Sequence, residues 1–226
     1  MITLVIPTLN EERGIGPTIE EYRRAVSDLK IIVVDGGSTD STVEIAREYE
    51  AEVLSVGERG KGRAISEALN YLRNGEEDPD YVIFTDGDYT YPADKLPEMI
   101  RILDEDERVG AVLGNRLHSL LKCVFSGDIY LVGNLIIRSL YRLWTPIRLQ
   151  DPLSGLRVVR WEAIRDWRPN ARGFEIETEM NLYLVSRGWR IAEVPIEYRK
   201  RLGEKKLKIR DAIPIIKTLR KHSKHL

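Results

Sequence analysis

Short apolar runs recur along the first half of the chain, and each ends in polar or glycine-rich sequence. Residues 2–6, 30–34, 52–56, 81–85 and 109–114 read as buried-type strands. Between them, residues 12–29, 41–49, 62–72 and 93–103 carry helical periodicity, with Asp40 or Ser41 capping the second helix. Strands separated by helices of this length predict an α/β fold with a mostly parallel sheet and right-handed crossovers. The second half changes character. Residues 129–149 are rich in Leu, Ile, Tyr and Trp but are broken by Asn134, Arg138, Arg142 and Pro146. A membrane span needs about 20 mainly apolar residues, so this stretch reads instead as an amphipathic helix. Such a helix either packs on the body or lies in a membrane interface with its arginines reaching the headgroups. Residues 173–186 read as a helix and 189–194 as a strand. Residues 208–222 read as a basic helix with Ile209, Ala212, Ile213, Ile216 and Leu219 on one stripe, bent at Pro214.

Length and composition sharpen this outline. The 226 residues suit one α/β catalytic domain, expected over 1–198, with a basic amphipathic extension over 199–226. Hydrophobic residues at 42% and charged residues at 31% are those of an ordinary soluble protein. The single cysteine, Cys123, excludes an internal disulfide and a Cys-x-x-Cys metal site, which favours a reducing compartment. A strand expected from Ile2 leaves no place for a signal peptide. The near-zero net charge conceals an asymmetry. From Arg199 onward there are eleven Lys and Arg against Glu204 and Asp211, while residues 1–198 hold 24 basic and 34 acidic residues. A basic tail on an acidic body points to a polyanionic partner, such as a membrane surface or a phosphate-bearing ligand. Aromatic residues for base stacking are missing around Lys205 to Arg210, which argues against nucleic acid.

Ligands of parallel sheets bind beyond the carboxyl ends of the strands, so the chemistry is sought there. The strongest signal is Val82-Ile83-Phe84-Thr85-Asp86-Gly87-Asp88. An apolar strand delivers two carboxylates spaced i and i+2, which share a face in extended chain. Two hard oxygen ligands suit Mg²⁺ or Mn²⁺, which leave coordination positions open for substrate phosphates. Gly87 between them allows a close backbone approach. Asp35 ends another strand and leads into Gly36-Gly37-Ser38-Thr39-Asp40. It can accept hydrogen bonds from a base or ribose, or serve a turn and helix cap. Gly60-Lys61-Gly62 can bring a lysine or backbone amides to an anion, although its spacing is not that of a P-loop.

Taken in order, these residues resemble the family-2 glycosyltransferases of GT-A fold. The stretches that carry the resemblance are Ile6-Pro7-Thr8-Leu9-Asn10-Glu11, Val34-Asp35-Gly36-Gly37-Ser38-Thr39-Asp40, Gly60-Lys61-Gly62 and Asp86-Gly87-Asp88. The second half resembles the polyprenyl (dolichyl) phosphate sugar synthases, the dolichol-phosphate mannosyltransferase-like branch. There the matching stretches are Gly114-Asn115-Arg116, Asp151-Pro152-Leu153-Ser154-Gly155-Leu156-Arg157, Gly173-Phe174-Glu175-Ile176-Glu177-Thr178-Glu179 and Pro195-Ile196-Glu197-Tyr198-Arg199-Lys200-Arg201-Leu202-Gly203. The chain departs from the pattern at Gly36, where a second aspartate is frequent, and at Thr90, Glu177 and Lys205.

The resemblance implies a Rossmann-like sheet with helices on both faces and amphipathic helices at the C-terminus. It implies an inverting, metal-dependent transfer of a hexose-type sugar from a UDP- or GDP-linked donor to polyprenyl or dolichyl phosphate, as in protein glycosylation. Pro7, Leu9, Glu11 and Asp35 would line the nucleoside pocket, with Lys61, Asp86 and Gly87 also on the donor. Asp86 and Asp88 would hold Mg²⁺ or Mn²⁺. Arg116, Ser154, Arg199, Arg201 and Lys206 would grip the acceptor phosphate, since forked guanidinium groups match phosphate oxygens. Asp151 and Glu177 would act as base, metal-shell or orienting residues. An anionic phosphate acceptor needs no strong general base, whereas a sugar hydroxyl does. The expected location is peripheral, on the cytoplasmic face of a membrane. Two rival readings stand beside this one: a family-2 enzyme acting on a hydroxyl of a polysaccharide or glycolipid, and a haloacid-dehalogenase-type phosphatase with Asp86 as nucleophile. The second fits Asp86-Gly87-Asp88-Tyr89-Thr90, but that motif normally opens its fold, and here three strand–helix units precede it.

Overall fold

The computed structural model describes residues 1–75, 78–117, 129–204, 206 and 209–222. Cys123, Lys205 and Lys208 lie outside the described residues. Seven strands form one sheet in the order β3-β2-β1-β4-β6-β5-β7. They are β1 (Ile2–Thr8), β2 (Leu29–Asp35), β3 (Glu52–Ser55), β4 (Tyr81–Phe84), β5 (Val109–Asn115), β6 (Arg157–Arg160) and β7 (Arg190–Pro195). The first four pair in parallel, with Thr8 beside Asp35 and Val5 beside Phe84. This register brings the ends of β1, β2 and β4 to one edge of the sheet.

The expected helices are present within a few residues: α1 (Ile15–Ala25), α2 (Thr42–Glu48), α3 (Lys61–Arg73), α4 (Leu96–Glu105), α5 (Ile129–Trp144), α7 (Ile176–Ser186) and α8 (Ala212–His222); the short α6 (Trp161–Ile164) was not expected. Strand alternation explains why helices cover both faces. Leu4, Ile6, Ile31, Val33 and Ile83 point to one side, where they pack with Ile15 and Ile19 of α1 and Leu96 and Met99 of α4. Val5, Ile32, Val34, Val82 and Phe84 point to the other. There they meet Ile65 and Leu69 of α3, Tyr141 of α5, Met180 of α7 and Leu219 of α8. The cap at the start of α2 comes from Asp40, whose Oδ1 accepts the Thr42 N–H at 3.1 Å; Ser41 makes no side-chain cap.

Two sequence expectations are corrected. The strand β6, which the apolar pattern does not announce, inserts antiparallel between β4 and β5. Its four residues, Arg157-Val158-Val159-Arg160, begin and end with arginine, so the run is too short to stand out. Pro214 does not bend a long helix. It falls in the first turn of α8, after the 3₁₀ turn Ile209–Asp211, where its missing N–H would have no helical partner. The buried stripe of α8 therefore runs through Ile215 and Leu219, and Ile213 is 55% exposed. Among the described residues no helix is long and apolar enough to cross a membrane.

Candidate active site

The chain turns sharply after β4, and the turn is held on both flanks. Asp86 and Asp88 emerge on it as expected. Gly87 packs inward, so that a Cβ there would lie 2.9 Å from Thr8 Cγ2. Its close approach is thus to β1. Asp88 is anchored through Oδ1, which accepts the Thr90 N–H at 3.1 Å and the Thr90 hydroxyl at 2.5 Å. Asp86 Oδ1 accepts Lys61 Nζ at 2.6 Å, and the same ammonium lies 2.6 Å from Glu177 Oε1. Burial works against the Asp86 anion, but Lys61 prevails and holds its pKa below the usual carboxylate range. Burial and repulsion from Asp86 push Asp88 upward instead.

Lys61 is therefore turned inward onto two carboxylates. Gly60 and Gly62 let the start of α3 lie directly on the chain before α7: a Cβ at either would fall 2.1–2.3 Å from the carbonyl oxygens of Arg172 and Ala171. That contact turns Lys61 inward, between a carboxylate from β4 and one from α7.

The segment after β7 crosses the same site. Arg199 N–H donates to Thr90 O at 3.0 Å and Leu202 N–H to Asp88 O at 3.1 Å. Arg201 forms an ion pair with Asp88 Oδ2 and reaches Glu11 Oε1 at 3.3 Å. Lys206 pairs with Glu11 and donates to Asn10 O at 2.8 Å. Arg199 makes a two-pronged pair with Glu21 at 2.5 and 2.9 Å and covers the Tyr89 ring at 4.6 Å. Three of the cations assigned to an acceptor phosphate thus rest on acidic groups, Arg201 and Lys206 on Asp88 and Glu11 and Arg199 on Glu21 of α1. Burial raises Glu11 to a pKa of about 7 even though Lys206 and Arg201 oppose it.

Asp35 is satisfied locally: it accepts Gly37 N–H at 3.0 Å, Ser38 N–H at 3.1 Å and the Ser38 hydroxyl at 2.5 Å. Pro7 lines a narrow cavity with Lys61, Thr85, Gly155, Arg157 and Glu177, while Leu9 lies half-buried just after β1.

Just after β5, Arg116 pairs with Asp151. Arg116 Nε and Nη2 donate to Asp151 at 2.7 and 2.8 Å, and the Arg116 N–H adds a third bond at 3.0 Å. Burial disfavours the guanidinium, but Asp151 more than compensates and raises its pKa well above the usual value. The rings of Tyr91 and Tyr198 flank it at 5.7 and 5.3 Å. Asp151 is fully buried and accepts three N–H groups, a geometry suited to orienting Arg116. Glu193 of β7, which the sequence reading passed over, holds the Asp151 turn by accepting the Gln150 and Asp151 N–H groups at 2.7 Å each. Its signal was a lone acid within the apolar run of β7. Ser154 is buried, its hydroxyl directed at Leu156 O at 3.4 Å, so the structure does not bring it to the cleft.

The residues fit a divalent cation. Each aspartate is anchored through one oxygen, and the second oxygens differ from the first in their surroundings. Asp86 Oδ2 lies against Gly155, where a Cβ would approach it to 2.8 Å, and Asp88 Oδ2 is buried with no hydrogen-bond partner beyond the Arg201 ion pair. Among the described residues no group of three or more His, Cys, Asp or Glu forms a closed cage. Two protein carboxylates with the remaining ligands from phosphate and water is how Mg²⁺-like ions are usually held.

A mostly parallel sheet covered on both faces, with acidic strand ends at one edge, is the fold of the GT-A glycosyltransferases. Glucosyl-3-phosphoglycerate synthase of Mycobacterium tuberculosis, solved with Mn²⁺, UDP-glucose and phosphoglyceric acid, superimposes with a TM-score of 0.75 at 25% identity, over 99% of this chain and 80% of that one. The chain belongs to glycosyl transferase family 2, whose pattern matches residues 3–166. It is 32% identical over 200 residues to the glycosyltransferase AglJ of Haloferax volcanii, covering 88% of this chain and 63% of that protein. It is 31% identical over 208 residues to a dolichyl-phosphate hexose transferase of the same organism, covering 91% of this chain and 86% of that protein. The chain thus spans less than two thirds of AglJ but most of the hexose transferase.

Proposed function

We propose that the protein transfers a hexose-type sugar from a UDP- or GDP-linked donor to a polyprenyl or dolichyl phosphate, using Mg²⁺ or Mn²⁺ held by Asp86 and Asp88. The observation that carries this reading is the pair of carboxylates at the end of β4, each anchored through one oxygen, with Asp88 Oδ2 buried against the exchangeable Arg201 guanidinium. A bound divalent ion supplies Lewis-acid neutralisation of the leaving diphosphate. Asp86 and Asp88 fix its position, and Lys61 keeps Asp86 ionised. Pro7, Leu9, Glu11 and Asp35 are assigned to the nucleoside. Arg201 and Lys206 reach the same edge, so their guanidinium and ammonium groups are placed to meet the donor's phosphates when these displace the carboxylate contacts. Arg116, oriented by Asp151, faces the acceptor side. Because the acceptor phosphate is already anionic, no residue has to remove a proton from it.

The names of the relatives support the acceptor. The surface supports a membrane setting: α5 and α8 pack together and leave Leu143, Ile136 and Ile213 exposed at 74%, 57% and 55%, beside Arg142 and Lys217. We assign 1–198 to the catalytic domain, 199–226 to its basic extension, and the whole to the cytoplasmic face. A second reading, transfer to a hydroxyl, draws on the structural likeness to glucosyl-3-phosphoglycerate synthase, whose name carries no lipid.

The test mixes protein, Mn²⁺, labelled UDP- and GDP-sugars and polyprenyl phosphate, and counts label in the organic phase. Metal-dependent label that drops by about 10³-fold in Asp88→Ala supports the proposal, since the metal's charge stabilisation amounts to several kcal/mol. Label transferred to a free sugar and none to lipid would move the assignment to the hydroxyl reading.

A further inference from the structure

Arg157 opens β6 with its guanidinium buried, 1% exposed. The partners that hold it are neutral. Nε donates to Ser154 O at 2.9 Å, Nη2 to Pro152 O at 2.9 Å, and Nη1 to Asn181 Oδ1 at 2.7 Å and to Glu177 O at 3.3 Å. Asn181 in turn donates to the same Pro152 carbonyl at 2.9 Å and to the Tyr141 hydroxyl at 3.3 Å. Burial lowers the Arg157 pKa, with Glu177 and Asp151 acting only at a distance to oppose it. A well-packed apolar side chain would fill such a place at lower cost. What the arginine adds is geometry: five N–H groups in one rigid plane can pin several carbonyls at fixed mutual positions.

Those carbonyls belong to two segments of the site, one on each side of it. Pro152 and Ser154 lie in the turn that begins with Asp151 and ends at Gly155, against which Asp86 rests. Glu177 sits in the first turn of α7 and shares Lys61 with Asp86. Asn181 and Tyr141 extend the network to α5, the helix that exposes Ile136 and Leu143. We propose that Arg157, with Asn181 and Tyr141, is a positioning clasp. It locks the Asp151–Gly155 turn and the Glu177 turn into one block and joins that block to α5. Arg157 touches no substrate in this scheme. It acts through Asp151, which orients Arg116, and through Glu177, which shares Lys61 with Asp86. The clasp deepens the transferase reading and rests on it for its meaning in catalysis.

The test uses Arg157→Lys, Asn181→Ala and Tyr141→Phe in the full chain. Asn181→Ala keeps the buried charge and stands in if Arg157→Lys fails to fold. Three quantities are measured: amide hydrogen exchange, kcat and donor KM for lipid transfer, and the affinity for Mn²⁺ with nucleoside diphosphate. The clasp predicts exchange at residues 151–156 about tenfold faster, with β1 and β4 unchanged, because only local opening is affected. It predicts kcat down by about 30- to 100-fold with donor KM within about threefold, the scale of a 1 Å misplacement. Tyr141→Phe, which removes one hydroxyl at the periphery, should lower kcat by about threefold. Unchanged exchange at 151–156, or full kcat per folded molecule with only a lower melting temperature, would overturn the proposal. If the unaltered protein transfers nothing to lipid, the transferase reading fails by itself, and the exchange measurement still decides whether the clasp holds the turn.

Discussion

The two edges of the site, one that we assign to the donor and one to the acceptor, are built differently. On the donor edge, parallel strands β1, β2 and β4 deliver acids to one line: Glu11, Asp35, Asp86 and Asp88. The cations that balance most of them come from other elements: Lys61 from α3, Arg201 and Lys206 from the segment after β7. On the acceptor edge, the charges are closed on one another. Arg116 meets Asp151, and Glu193 holds the turn that carries Asp151. The first edge has acids whose partners a metal and a diphosphate can replace. The second is a closed network, in which the Nε–Nη2 fork of Arg116 is already taken by Asp151.

Breaking each edge should therefore have distinct effects. The largest is expected for Lys61→Met, which leaves Asp86 and Glu177 facing each other without their shared cation. Breaking a buried pair of this kind typically costs about 3–5 kcal/mol. Chemical denaturation should show that loss, together with a fall in kcat. A variant as stable as the parent would mean that Lys61 is a spectator.

Asp151→Asn comes next. It leaves Arg116 buried with one formal charge uncompensated, at about 2–4 kcal/mol. Because the change lies on the acceptor edge, affinity for Mn²⁺ with nucleoside diphosphate should stay the same while KM for the lipid phosphate rises. Equal damage to both affinities would erase the distinction between the edges.

The smallest effect is a pH dependence. Glu11 has an ordinary pKa of 4.5 and about 7 in the folded protein, because it is buried. The folded state therefore holds this proton more tightly. Its contribution to stability is fully present below pH 4.5 and is lost as pH rises through about 7. Glu11→Gln should flatten the fall of melting temperature between pH 5 and 8. The difference is expected at about 1–2 kcal/mol, since the strap of Arg201 and Lys206 is half-exposed and can relax. Parallel slopes in the two proteins would show that Glu11 does not titrate in this range.

The donor edge was largely legible in the sequence, and the physical reason is local. An apolar run followed by Asp-Gly-Asp is a strand delivering two carboxylates to a turn, whatever surrounds it. The acceptor edge was legible as motifs but not as contacts. Arg116 and Asp151 each stood out, yet their partnership spans 35 positions, and nothing in spacing announces it. Lys61 stood out but its carboxylate partners did not, because its flanking glycines serve a backbone contact with Ala171 and Arg172 more than a hundred positions away. The pairing of Arg201 and Lys206 with Asp88 and Glu11 was not legible, because charge alone does not say which acid a cation will meet. Arg157 and the strand it opens were hidden by brevity: four residues between an apolar turn and a helix carry too little pattern to be seen.

The most direct test of the account is Mn²⁺ binding followed by electron paramagnetic resonance, alone and with UDP or GDP. Asp86 and Asp88 are only two ligands, so the account predicts weak binding of Mn²⁺ alone. A nucleoside diphosphate should tighten it by about tenfold or more, as phosphate oxygens complete the shell, and Asp88→Asn should abolish that gain. Mn²⁺ binding that ignores both nucleotides, or that survives Asp88→Asn unchanged, would contradict the claim that the end of β4 is the metal and diphosphate site.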